Sequence, residues 1–110
     1  MENVNPQAQI DAEFEHAEQA RTRGNEGQAR VCARRAAGIA AREYFARRGR
    51  MIHTPSAYDL LNLLIEDPSL SNDLRQIAAH LTLRVDEEFK LPAQMDLIVE
   101  ARKLCEGLLK

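Results

Sequence analysis

Residues 29–49, ARVCARRAAGIAAREYFARRG, decide the fold. Ala29, Cys32, Ala33, Ala36, Ile39 and Ala40 recur three and four positions apart, which sets them on one side of an α-helix. Tyr44 or Phe45 continues that side. The arginines Arg30, Arg34, Arg35 and Arg42 fall largely on the other, so the stretch predicts a helix from about Gln28 to Arg48 with a small-residue packing face. Gly38 inside it costs about 1 kcal/mol relative to Ala. Either a close crossing with another helix or a dimer seam would explain a glycine there.

Upstream, Gly24-Asn25-Glu26-Gly27 is a stop signal, because Gly and Asn accept left-handed backbone angles. A first helix is expected from about Gln7 to Arg23, with Ile10, Phe14, Ala17 and Ala20 or Arg21 as its stripe. Residues 1–6 read as a flexible tail. Downstream, residues 49–55 form a connector. Ser56 then caps a third helix, SAYDLLNLLIED, with Asp59 in a capping-box position. Pro68 ends it, and Tyr58, Leu61, Leu64 and Ile65 share a face. A fourth helix runs from Ser71 or Asn72 to about Val85, with Leu74, Ile77, Ala78, Leu81 and Val85 inward. The charged connector DEEFKLP, anchored by Phe89 or Leu91, leads to a fifth helix from Ala93 to Leu109. Met95, Ile98, Val99, Arg102, Cys105 and Leu109 mark its face.

No segment alternates as a strand would. The expected fold is all-α: a compact four- to five-helix up-and-down bundle, one domain over residues 1–110. Composition agrees. The chain has 45% apolar residues, 5% aromatic residues and no Trp, so Ala, Leu, Ile and Val must build the core. That suits helix-on-helix packing.

The net charge of −2 hides an uneven distribution. Residues 21–50 hold nine Arg against Glu26 and Glu43, between two acidic segments. Internal pairing with those acids is the leading reading of this split. The other is an electrostatic site, in which Arg30, Arg34, Arg35 and Arg42 bind RNA or phosphate through the backbone alone, since no aromatic stacking platform is interleaved with them.

Cys32 and Cys105 read as buried small hydrophobes, or as a disulfide if their helices meet. His16, His53 and His80 are isolated, with no HxxxH, HExxH or Cys-His cluster, so no metal site and no cofactor is expected. No Gly-rich phosphate loop or Gly-x-Ser-x-Gly elbow is present. The longest apolar run, Leu60–Ile65, is too short to span a bilayer. The N-terminus resembles no signal or transit peptide. A cytoplasmic location with no membrane partner is expected.

Three features together resemble the HEPN family of small helical bundles: GNEGQARVCARRAAGIAAREYFARRG, then SAYDLLNLLIED, then DEEFKLP leading into QMDLIVEARKLCEGLL. The resemblance runs roughly from Ile10 to Leu109. It implies a helical binding or assembly module, acting as a homodimer and linked to a nucleotidyltransferase-like antitoxin or to RNA. It equally implies the alternative of a metal-independent ribonuclease or toxin of a toxin–antitoxin system. Active members carry an Arg, four to six residues, then a His, and Arg75-Gln-Ile-Ala-Ala-His80 satisfies that spacing. An Arg can neutralise a scissile phosphate, and a His can move the proton of a ribose 2′-hydroxyl. On one helix the two project about 140° apart. A helical adaptor unrelated to that family is the third reading.

Overall fold

The computed structural model describes residues 5–83 and 96–110, and these form five helices and no strand: α1 (Pro6–Thr22), α2 (Glu26–Ala46), α3 (Ala57–Ile65), α4 (Asn72–Thr82) and α5 (Leu97–Leu108). The chain is an all-α helical bundle. Helix α2 is its centre and packs against α1, α3 and α5, while α4 bridges α3 and α5. The alanines at 29, 33, 36, 37, 40 and 41 are all fully buried. Their short side chains let three helices approach one.

Each turn follows from particular residues. At the α1–α2 hairpin, Gly24 takes φ +78°. The N–H of Asn25 then reaches the Ala20 carbonyl at 2.8 Å, and that of Gly24 reaches Arg21 at 2.9 Å. This is the glycine-dependent closure that satisfies the last carbonyls of a helix. Asn25 also caps α2, its side chain accepting the Gln28 N–H at 3.1 Å. Gly49, at φ +80°, repeats the closure at the end of α2.

Half of the expected capping box at α3 forms, and Thr54 stands between its other two members. Ser56 Oγ accepts the Asp59 N–H at 3.2 Å, but the Asp59 carboxylate accepts from Thr54 Oγ1 at 3.0 Å. Thr54 Oγ1 in turn accepts the Ser56 N–H.

Several boundaries and faces differ from the sequence reading. The supposed tail reaches into α1: Asn5 caps the helix by accepting the Gln7 N–H at 2.9 Å, and Pro6 is its first residue. Helix α4 ends at Thr82 rather than Val85. The Leu81 carbonyl, which a longer helix would offer to residue 85, instead accepts Arg34 Nε at 2.8 Å, and the Leu83 carbonyl accepts Arg34 Nη2 at 2.9 Å. Ile39 is only partly buried, whereas Tyr44 and Phe45 are both in the core. On α3, Leu60 is in the core, while Tyr58 and Ile65 are half-buried. The inward face of α5 is Leu97, Ile98, Ala101, Leu104, Cys105 and Leu108, with Val99 48% exposed and Arg102 outside. Taking Arg102 as inward rotated that face by about one residue. Residues 1–4, Val85, Phe89, Leu91 and the proposed start of α5 at 93–95 lie outside the described residues.

Gly38 serves a crossing within the chain. A Cβ placed there would sit 3.1 Å from the Ala57 Cβ at the start of α3. The alanine seam is likewise covered by α1, α3 and α5, so a homodimer would need another face.

Arg34→Ala is expected to lower stability by about 1–2 kcal/mol, the range for charge-assisted hydrogen bonds discounted for partial exposure. Urea unfolding measures it. An unchanged midpoint would mean that water serves the α4 carbonyls equally well.

Candidate functional site

The structure does not join Arg75 to His80. Arg75 donates back to the Asn72 side chain at the start of α4. His80, at the other end, pairs across the bundle: its Nδ1 lies 2.8 Å from Glu100 Oε1 on α5. No hydrogen bond links the two residues, as their angular separation on one helix requires. The Glu100 contact fixes the orientation of the imidazole and leaves Nε2 as the ring nitrogen not held by Glu100. Nothing in the sequence pointed to Glu100, because only the α4–α5 packing brings it to His80.

The α2 arginines separate into different roles. Arg34 holds the end of α4 and also lies 5.5 Å from the Tyr58 ring centroid. Arg42 donates Nη2 to the Thr54 carbonyl at 2.6 Å and so ties α2 to the connector before α3. Arg30 is half-buried, and its charge helps hold the Glu26 carboxyl below the usual range; the larger cause is the hydrogen bond from Arg21. Arg35 is exposed and makes no hydrogen bond or ion pair with any described residue.

The expected pairing of this segment with acids is therefore narrow. Among the described residues, only Arg21 and Arg47 of the nine arginines meet carboxylates. Arg21 bridges Glu26 at 2.7 Å and Asp96 at 3.0 Å, and Arg47 reaches Glu43 at 3.0 Å. Asp96 is also the cap of α5, accepting the Ile98 and Val99 N–H groups. Burial pushes its carboxyl up, but Arg21 and those N–H groups outweigh burial and leave it below the ordinary range. Arg48 and Arg50 instead lie over aromatic rings, 3.8 Å from the Tyr44 centroid and 4.8 Å from that of Phe45. The Tyr44 hydroxyl donates to Asp67 Oδ2 at 2.7 Å. Burial raises the Asp67 carboxyl, yet the hydrogen bonds from Ser69 and Tyr44 prevail and hold it low.

A cleft of about 250 Å³ opens beside α2. Arg35 and Arg42 line it together with Glu13 of α1, Ile39 and the first turn of α3. Glu13 escaped the sequence reading because it belongs to the polar side of α1, where a carboxylate needs no explanation.

Cys32 and Cys105 are both buried and free, without a disulfide. Burial pushes the Cys105 thiol up to about 12, so it stays protonated and packs as a hydrophobe. Among the described residues, no group of three or more His, Cys, Asp or Glu could hold a metal ion, and no helix is long and apolar enough to cross a membrane. No protein-family model, no curated protein and no solved structure matches this chain.

Proposed function

We infer that this chain is a HEPN-like helical binding module that meets RNA through the cationic side of α2. One observation carries the reading. Arg34, Arg35, Arg42, Arg48 and Arg50 form no ion pair with any described residue. Carbonyls and aromatic faces orient a guanidinium without cancelling its charge. Such unpaired charges attract phosphodiesters and release their counterions. Sequence readout is not part of the proposal, since Tyr44 and Phe45 are buried and offer bases no stacking surface.

Fluorescence anisotropy with a labelled single-stranded RNA tests this. Neutralising about three phosphates predicts roughly twentyfold weaker binding when salt rises fourfold. Arg35→Ala with Arg42→Ala should weaken binding at every salt concentration. No binding at low salt would remove the reading.

The His80–Glu100 contact favours a second reading, a metal-independent ribonuclease working as a homodimer beside a nucleotidyltransferase-like antitoxin. A histidine oriented by a carboxylate is the arrangement a general base needs. The same RNA, incubated with chelator and run on a gel, separates the two readings. Cleavage lost in His80→Ala supports the enzyme; intact RNA with the unmodified chain rejects it.

A further inference from the structure

We propose that the cleft between α1, α2 and the start of α3 binds a free α-amino acid with a small apolar side chain. Three features of the cleft match three parts of such a ligand. The first is Glu13. The side chain is half-buried and lines the cleft, and its Oε1 is turned inward and receives no hydrogen bond from any described residue. A buried carboxylate oxygen without a donor is costly, and an ammonium group is the donor that meets both its charge and its hydrogen-bonding need.

The second is the pair of guanidiniums. Arg35 has no hydrogen-bond or ion-pair partner among the described residues, and Arg42 engages one nitrogen, Nη2, with the Thr54 carbonyl. Five N–H donors per guanidinium leave ample capacity for a carboxylate. The third is the apolar wall. Ile39 is the one α2 residue of the expected inward face that the core does not enclose, and it borders the cleft with Leu60.

Charge and size narrow the ligand class. A phosphate would satisfy the arginines but face the Glu13 carboxylate. A simple amine would satisfy Glu13 but leave two guanidiniums unanswered. A zwitterion answers both. The volume of about 250 Å³ falls below the roughly 300–1,000 Å³ typical of drug-sized ligands, which suits a molecule the size of valine. The site does not rest on the RNA reading. Glu13 has no part in phosphate binding, so Glu13→Gln tests the cleft alone.

Isothermal titration of the full chain decides the matter. The probes are L-valine, isovalerate (valine without its ammonium), isobutylamine (valine without its carboxylate) and inorganic phosphate. L-Valine should bind saturably. Isovalerate and isobutylamine should each bind at least about tenfold more weakly. Glu13→Gln and Arg35→Ala, checked for folding by circular dichroism, should each weaken L-valine to a similar degree. The proposal is overturned if L-valine, with L-alanine and L-leucine tried beside it, gives no saturable heat up to about 10 mM. It is equally overturned if isovalerate binds as tightly as L-valine, or if phosphate binds more tightly.

Discussion

Phe45→Ala is expected to lower the unfolding free energy by about 3–5 kcal/mol. Phe45 is 1% exposed and heads the fully buried side chains by volume. Its ring packs edge-on to Tyr44, with centroids 5.2 Å apart and planes at 75°, and its outer face lies under the Arg50 guanidinium. Truncation removes apolar contact, the ring–ring interaction and the seat for that cation. Small domains unfold at a total of about 5–15 kcal/mol, so this loss is a large share. Urea and thermal unfolding followed by circular dichroism measure it. A loss under about 1 kcal/mol would mean that the C-terminal end of α2 is not packed as described.

Gly38→Val should cost about 2–3 kcal/mol, through overpacking rather than a void. A Cβ at position 38 already meets the Ala57 Cβ at 3.1 Å and its Cα at 3.2 Å. The Cα is backbone at the start of α3, so no side-chain rotation relieves the contact. Two further methyl carbons would push α3 away from α2. Gly38→Ala is the informative control. Helix propensity favours Ala by about 1 kcal/mol, and the shift of a few tenths of an ångström asked of Ala57 opposes it. The two effects should nearly cancel. Valine as stable as glycine at this position would refute the close α2–α3 crossing.

The same glycine shows how far the sequence could be read. Its cost inside a helix announced a close approach, but a crossing within the chain and a dimer seam leave one identical mark. Only the position of Ala57 distinguishes them. The arginines show a similar limit. Their spacing along α2 was plain, and so was the uneven charge. That Arg34 would reach two carbonyls at the end of α4, some fifty residues along the chain, was not, because its partner is backbone and backbone carries no sequence signature.

Glu13 and Glu100 were illegible for another reason. Each is an ordinary acid on an amphipathic helix, and each gains meaning only from what a neighbouring helix sets beside it: Arg35 and Arg42 in the cleft, His80 across the α4–α5 contact. The misplaced face of α5 belongs here too. Arg102 covers the Phe14 ring, with its guanidinium carbon 4.5 Å from the centroid. A long cationic side chain lying over an aromatic mimics an inward position in a periodic pattern.

By itself, then, the sequence determined the five helices, the cap at Ser56, the stop at Gly24-Asn25 and the small-residue helix at the centre. These follow from rules acting within a few residues: the 3.6-residue period, the N-cap oxygen, the glycine at positive φ. The tertiary structure alone decided where α4 stops, which residues share the cleft and that His80 meets Glu100. Those depend on which helix faces which and at what rotation, and that is set by packing among residues far apart in the chain.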